Sequence, residues 1–283
     1  MSLAKPVLFV RFNRCGMCNK LITWAKAYVW SQKHNADLDI SGWVHIPVGS
    51  IRRWDRSWRW YVGYFKRKTR LFSGIPKDLP VIGAINDPMV VGAEKLRFRS
   101  TPHVFDLIEL SAYRDMIIPG FYEIIRPRHL ETARLSEIPE IGVHVRRGDY
   151  IGLKDALDFS YYLAQIRMIR KTAGKQLKVF LFTDGFEKEL KPLLEEPDVY
   201  YFKPVNDLVD LLVLSSSKVI ITTKASTYSY WAAFISDAIV LHHPKTNVPQ
   251  CRPDDFNKVH FEGAVDPEKP LPDQLIHELK QLK

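Results

Sequence analysis

The 283-residue chain has few cysteines, no long apolar run and no internal repeat. Its three cysteines, Cys15, Cys18 and Cys251, are too few for a disulfide framework, which favours a reducing compartment. The sequence contains no apolar run of about 18 residues, so no ordinary transmembrane helix is expected. No apolar signal-peptide core follows Met1 either. These absences predict a cytoplasmic protein.

Basic side chains outnumber acidic ones by 41 to 32, which gives a formal net charge of +9. This charge favours an anionic partner, but it does not distinguish a nucleotide, a nucleic acid and a membrane surface. No nucleic-acid recognition motif accompanies the charge, so we expect no nucleic-acid partner. The length allows one large domain or two modest ones.

Apolar strands alternate with helical segments throughout the second half of the chain. The strands are predicted at 141–146, 178–183, 199–202, 218–222 and 238–241. This alternation is typical of a parallel, doubly wound α/β sheet. The first part begins in a similar way, with strands at 7–10 and 37–40 around a helix at 19–33. The proline-rich residues 71–140 predict no clear sheet, and a domain boundary is expected between 138 and 139.

Polar residues follow three of these strands. The first strand ends in His144, Arg146, Arg147 and Asp149, Asp184 ends the second, and Ser226 and Thr227 follow the fourth. Because ligands bind beyond the carboxyl ends of parallel strands, we expect these residues to meet at one edge of the sheet. The guanidinium fork suits phosphate, and the start of a helix favours an anion. The sequence therefore predicts a diphosphate pocket, with Asp184 hydrogen-bonded to a sugar or a base.

Each of these features also has a simpler interpretation. The pair Arg146 and Arg147 could be a solvated surface pair, and Ser226 could be an N-cap residue. Asp184 lies in a segment that also reads as a turn. Convergence of all three groups on one edge is what favours a functional site.

Four segments resemble, in order, motifs of the α1,2- and α1,6-fucosyltransferases and the protein O-fucosyltransferases. The opening turn is similar to residues 16–21, and the first motif, His-x-Arg-Arg-x-Asp, to residues 144–149. Residues 182–184 are similar to the second motif, Phe-Ser-Asp. Residues 226–233 are similar to the third motif, Ser-Ser-Phe-Ser-Trp-Trp-x-Ala. The α1,2 group, glycosyltransferase family 11, is the nearest match. Cys18, Gly185 and Tyr230 depart from these motifs.

This resemblance implies the GT-B fold, with two facing Rossmann-like domains. An acceptor-side domain would cover 1–138, and a domain for the nucleotide-sugar donor would cover 139–283. The resemblance also implies GDP-fucose as the donor, a glycan or glycolipid as the acceptor, inversion at the anomeric carbon, and no required metal or other cofactor.

The resemblance assigns a role to each matching residue. Arg146 would bind the β-phosphate and stabilise the departing GDP. The remaining donor-site residues would be His144 and Arg147, which shape the pocket, Asp184 beside the nucleotide, Ser226 and Thr227 on the diphosphate, and Asn19 at the reaction centre from the first domain. An acceptor hydroxyl also needs a base, for which Asp149 is the candidate and Asp155 the fallback. Asp149 could equally be a structural partner of Arg147.

Two further segments carry competing signals. Residues 52–70 hold eight basic residues and six aromatics, which predicts a helix that contacts an anionic membrane or else packs on the first domain. Cys15 and Cys18 have the spacing of a thiol-redox motif, but its usual aromatic and proline neighbours are missing. The alternative function is a non-catalytic binder of polyanions or membranes on a degenerate glycosyltransferase scaffold.

Overall fold

The computed structural model describes residues 5–44, 51, 60–66, 78–147, 157–248 and 250–282. The chain divides into two compact units. Of the described residues, the first unit contains 5–44, 60–66 and 78–126, and the second contains 51, 127–147, 157–248 and 250–282. Residues 52–59 and 67–70 lie outside the described residues, so the membrane contact of segment 52–70 stays a prediction. The predicted helix is wrong for residues 60–66, which are not helical: Tyr61 has a φ of 54°, and Phe65 forms an isolated β-bridge with Ile125. In the described part of the chain, no helix is both long and apolar enough to cross a membrane.

The first unit contains a four-stranded parallel sheet in the order β2-β1-β4-β3. Its strands are β1 (Val7–Arg11), β2 (Asp37–Ser41), β3 (Val81–Ile82) and β4 (Lys95–Phe98). Its helices are α1 (Met17–Lys33), α2 (Asp106–Ser111) and α3 (Arg114–Ile124). Alternate residues of β1, Leu8 and Val10, are buried, and α1 packs against β1 and β2.

The prediction that residues 71–140 contain no clear sheet is wrong. Strands β3 and β4 lie in this range and complete the first sheet. In β4, Leu96 and Phe98 are buried whereas Lys95 is exposed, which is the period-two pattern of a half-buried strand. Strands of only two and four residues between prolines give too short a pattern to stand out.

The second unit contains a six-stranded parallel sheet in the order β10-β9-β8-β5-β6-β7. Its strands are β5 (Ile141–Val145), β6 (Val179–Thr183), β7 (Val199–Tyr201), β8 (Val219–Ile221), β9 (Ile239–His242) and β10 (Glu262–Ala264). Its helices are α4 (Pro127–Leu135), α5 (Phe159–Ala173), α6 (Lys191–Leu194), α7 (Asp207–Ser215), α8 (Thr227–Ile235), α9 (Asp254–Asn257) and α10 (Asp273–Gln281), with a 3-10 turn at Glu187–Leu190. The predicted parallel sheet is confirmed, and β10 is an additional strand.

Strand β5 is the centre of this second unit. All five of its residues are buried, which explains why the segment reads as a continuous apolar run rather than an alternating one. Gly142 has no room for a side chain, because a Cβ there would overlap Ser217 and lie 2.8 Å from Leu214 Cδ1. This close approach holds the end of α7 and the following turn against β5.

Candidate functional site

The strand order of the second sheet reverses beside β5. Strands β6 and β7 follow on one side of β5, whereas β8, β9 and β10 follow on the other side. Ligands of open α/β sheets bind at such a switch point, beyond the carboxyl ends of the strands. Strand register places Val145 beside Thr183 and Val143 beside Ile221. The strand ends that carry His144, Arg146 and Arg147, Asp184, and Ser226 and Thr227 therefore lie at one edge of the sheet. Asp149 lies outside the described residues.

Asp184 is the carboxylate that holds both arginines after β5. Its Oδ2 lies 2.9 Å from Arg146 Nη1, and its Oδ1 accepts a hydrogen bond from the backbone N–H of Arg147 at 2.8 Å. The Arg147 guanidinium lies 4.8 Å from the centre of the Phe159 ring, a cation–π distance. The two arginines are therefore half-buried and oriented, which is not the arrangement of a solvated surface pair.

Gly185 allows Arg147 to lie close to the β6 turn. A Cβ at this position would lie 2.8 Å from Arg147 Cβ and 2.7 Å from Glu189 Oε2. The departure from the family motif at Gly185, where a second acidic residue is common, therefore has a steric reason in this chain.

His144 is buried at the end of β5, with its ring 4.9 Å from the ring of Tyr228. Burial, and next the positive charge of Arg146, lower the pKa of His144 to about 3. The imidazole is therefore neutral near pH 7. Its Nδ1 is buried and has no hydrogen-bond partner among the described residues.

Thr223 joins the ends of β5 and β8, a role that sequence reasoning missed. Its hydroxyl donates to the carbonyl oxygen of His144 and accepts from the backbone N–H of Arg146 at 3.3 Å. The Tyr162 hydroxyl lies 2.8 Å from the hydroxyl oxygen of Thr223, and Thr223 is fully buried. The available signal was a threonine directly after a buried strand, on the neighbour of the strand that carries the arginines.

A tight turn leads from Thr223 to the start of α8. Ala225 has a φ of 56°, a left-handed conformation that costs about 1–2 kcal/mol for a residue with a Cβ. Ser226 occupies the N-cap position of α8, but its side chain makes no capping hydrogen bond. The hydroxyl of Ser226 therefore does not cap the first turn of α8. Local strain of this kind is found at functional sites.

The predicted residue of the first unit, Asn19, lies in the first turn of α1. Its side chain is half-buried and has no hydrogen bond to another described residue. The adjacent residue, Lys20, is fully buried and donates to the carbonyl oxygens of Gly42 at 2.6 Å and Trp43 at 2.8 Å. Burial lowers the pKa of Lys20 to about 8. This lysine fixes α1 and the segment after β2 to each other.

The nearby cysteine pair does not have the character of a redox motif. Burial raises the pKa of the Cys15 thiol, although the charge of Lys20 opposes the shift. A raised pKa disfavours the thiolate, which is the reactive form. Asp149 and Asp155, the candidate bases, lie outside the described residues, so both interpretations of Asp149 stay open.

Comparison with known proteins identifies relatives of this chain. Alpha-1,2-colitosyltransferase from Escherichia coli is 28% identical over 123 residues, which cover 38% of this chain and 42% of the relative. The chain therefore matches less than half the length of this curated relative.

Solved structures share the fold across most of the chain. Fucosyltransferase NodZ from Bradyrhizobium is similar with a TM-score of 0.55 and 16% identity, covering 83% of this chain and 95% of that chain. POFUT1 in complex with GDP-fucose has a TM-score of 0.51 and 11% identity, covering 83% of this chain and 96% of that chain. These similarities show a GT-B-like α/β fold with two Rossmann-like domains.

The family model described as Glycosyl transferase family 11 matches residues 113–254. This match covers half of the chain and includes β5, β6, β8 and the start of α8. The chain therefore belongs to glycosyl transferase family 11.

Proposed function

We propose that this protein transfers fucose from GDP-fucose to a hydroxyl group of a glycan or glycolipid, with inversion and without a metal ion, forming an α1,2 linkage. One observation carries the proposal. At the point beside β5 where the strand order reverses, two arginines, Arg146 and Arg147, follow β5, and the start of α8 follows the neighbouring strand β8. Two similar structures, NodZ soaked with GDP-fucose and POFUT1 in complex with GDP-fucose, support the choice of donor.

The diphosphate of the donor would lie across the carboxyl ends of β5 and β8. Arg146 would contact it from one side, and Ser226, Thr227 and the N-terminus of α8 from the other. The bond between the anomeric carbon and the β-phosphate oxygen breaks, and its electron pair leaves with GDP. Arg146 would stabilise the charge that builds on this oxygen, an electrostatic contribution that is commonly large.

Asp184 and His144 would prepare this pocket. The ion pair at 2.9 Å fixes one edge of the Arg146 guanidinium, and thus its orientation before the donor arrives. Since His144 is neutral, it would supply a hydrogen bond from or to Nδ1 rather than a charge. Arg147 would shape the pocket from its place against Phe159.

The acceptor hydroxyl attacks the anomeric carbon from the opposite face and loses its proton to a base. We propose Asp149 for this role, with Asp155 as the alternative, because each carboxylate follows the arginine motif in the sequence. Asn19 would approach the reacting sugar from the first unit. Peripheral contact with an anionic membrane, through segment 52–70, would bring a glycolipid acceptor within reach.

Calorimetric titration with GDP tests the donor site. We expect wild-type protein to bind GDP, and Arg146→Ala to bind it about 100-fold more weakly, as for removal of one charge-stabilising donor. Arg167→Ala is the matched control, because Arg167 is an exposed arginine on α5 that pairs with Glu196 at 2.7 Å. If GDP does not bind, or if Arg146→Ala binds it equally well, the non-catalytic binder becomes the better interpretation.

A transfer assay then tests the donor sugar. GDP-fucose should support transfer to a glycan acceptor, and the panel should include nucleotide-activated colitose, because the Escherichia coli relative is a colitosyltransferase. If only the colitosyl donor supported transfer, the transferred sugar would be colitose instead of fucose, and the proposed donor site would still stand.

A further inference from the structure

A buried hydrogen-bonded network lies on the far side of β8 from the arginines. It consists of His242 at the end of β9, Glu262 at the start of β10, and Cys251 and Arg252 in the segment between these strands. The side chains of His242 and Glu262 are completely buried. None of these residues has a part in the proposed reaction, although the network borders the turn that leads to α8.

Glu262 is the centre of the network. Its Oε1 accepts from the backbone N–H of Cys251 at 2.7 Å and lies 2.8 Å from His242 Nε2. Its Oε2 accepts from the backbone N–H of Arg252 at 3.1 Å and from Arg252 Nε at 3.2 Å. Burial alone would raise the pKa of Glu262, but the interactions with His242 and Arg252 outweigh burial and lower it to about 2. Glu262 is therefore an anion with both oxygens occupied.

His242, Cys251 and Glu262 have the spacing of a metal site. The Arg252 guanidinium, however, lies against the carboxylate and also donates to the carbonyl oxygens of Ala238 and His260, at 2.8 and 2.9 Å. A cation bound to Glu262 would face this fixed positive charge and would displace its hydrogen bonds. The donors around Glu262 therefore fit an internal hydrogen-bonded network better than a cation site.

His242 links this network to the end of β8. Because an ionised carboxylate can only accept hydrogen bonds, Nε2 of His242 carries a hydrogen toward Glu262. On the other side of the ring, Nδ1 lies 2.9 Å from the hydroxyl oxygen of Thr222. Tyr230 of α8 stacks on the same ring, with centres 4.5 Å apart and planes at 4°. The imidazole orientation is thus fixed at both nitrogens and on one face.

Thr222 immediately precedes Thr223, whose hydroxyl holds His144 and Arg146. We propose that Glu262 and His242 are positioning residues of the donor site, which act through Thr222 to fix the turn between β8 and α8. The network would hold Thr223 against β5 and the start of α8 beside the diphosphate. This inference rests on the proposed function, since it concerns binding of the same nucleotide.

A double-mutant cycle on GDP affinity tests this inference. His242→Phe keeps an aromatic ring for Tyr230 but removes both hydrogen bonds, and Thr222→Val removes the hydroxyl with little change of shape. Both single variants remove the hydrogen bond between His242 and Thr222, and loss of one buried hydrogen bond corresponds to about a tenfold loss of GDP affinity. If His242 acts through Thr222, the double variant should be no weaker than His242→Phe alone. Thr222→Ser should restore binding.

Ser236→Ala is the matched control, because it removes a buried hydroxyl that donates to Ala233 O at 2.9 Å at the opposite end of α8. It should lower the melting temperature without changing GDP affinity. Unchanged affinity in the single variants, or losses that multiply in the double variant, would overturn the inference while leaving the proposed function intact. Absence of GDP binding by the wild-type protein would overturn both.

Discussion

Arg146 and Asp184 form an ion pair across the carboxyl ends of neighbouring strands β5 and β6, with 2.9 Å between Nη1 and Oδ2. The side chains are 17% and 12% exposed, so the pair is largely withdrawn from water. The second carboxylate oxygen of Asp184 binds the backbone N–H of Arg147. One carboxylate therefore orients a guanidinium that faces the proposed diphosphate, rather than only contacting the nucleotide itself.

We expect Asp184→Asn to reduce kcat more than it weakens GDP binding. Asparagine can still accept from Arg147, but it no longer balances or aligns the charge of Arg146. The unpaired guanidinium still attracts a diphosphate, whereas the transition state requires the charge in a fixed place. Steady-state kinetics should show a fall in kcat of about 10–100-fold. Equal losses of GDP affinity and kcat/KM would instead indicate that Asp184 binds the nucleotide directly. Glu131→Gln, at an exposed ion pair with Arg134, is the control.

Gly185→Ala should destabilise the protein and weaken GDP binding together. The added Cβ would lie 2.8 Å from Arg147 Cβ, which cannot move without shifting the backbone after β5. Overpacking of this kind costs about 1–3 kcal/mol of unfolding free energy. Denaturant unfolding measures the loss of stability, and calorimetric titration measures the weaker GDP binding.

Gly83→Ala provides the comparison for this substitution. An added Cβ there would make only ordinary contacts, at 3.6 Å from Arg99 O and 3.7 Å from Asp87 Oδ2. Gly83→Ala should therefore change neither the free energy of unfolding nor the GDP affinity measurably. GDP binding by Gly185→Ala at the wild-type level would show that the position of Arg147 does not matter for the donor.

The pKa of His144 predicts how stability depends on pH. In the folded protein this pKa is lowered from 6.5 to about 3. Between these values the unfolded chain binds a proton that the folded chain does not, so stability falls as the pH falls from 6.5 toward 3. The slope from this residue is up to about 1.4 kcal/mol per pH unit.

Denaturant unfolding at pH 6.5 and pH 5 measures this slope. The range lies above 4.5, the ordinary pKa of a glutamate, below which the contribution from the lowered folded pKa of Glu262 is lost. His144→Asn should have a shallower slope than the wild-type protein, and the difference isolates His144 from the other histidines. Parallel slopes in the two proteins would mean that the buried imidazole becomes protonated in the folded state.

Arg146, Arg147 and Asp184 of the proposed donor site could be grouped from the sequence because they directly follow strongly apolar strands. Ile141–Val145 and Val179–Thr183 read as buried strands, and parallel pairing places their ends together. The pairing of Asp184 with Arg146 was not predictable, since strand ends give proximity but no side-chain direction. The sequence suggested a sugar or base as the partner of Asp184, whereas the structure gives it an arginine.

The network around Glu262 was missed for a different reason. Strand β10 has three residues, Glu262–Ala264, and begins with a charged one. Nothing in a local apolar pattern predicts such a strand, because its stability depends on Arg252 and His242, which are distant in sequence. Strands β3 and β4 were missed because their patterns are short, although β4 does alternate.

Asn19→Ala should lower kcat while leaving GDP affinity unchanged. Asn19 belongs to the first unit, whereas the arginines and the start of α8 belong to the second. Its side chain has no hydrogen bond to another described residue, so its removal should not disturb the fold. Kinetics and calorimetry on the same preparation separate the two effects. A parallel loss of GDP affinity would place Asn19 on the nucleotide instead of at the reacting sugar.

Transfer activity should survive EDTA. In the proposed inverting transfer, positive charge must stabilise the diphosphate as GDP leaves, and Arg146 and the N-terminus of α8 would supply it. Both oxygens of Glu262 in the His242–Cys251–Glu262 group are already occupied by N–H donors. We therefore expect the same kcat and the same KM for the donor before and after chelation, and no gain on addition of Mg²⁺ or Mn²⁺. Loss of transfer with EDTA and recovery with one of these ions would assign the charge stabilisation to a metal and leave Arg146 as a binding residue only.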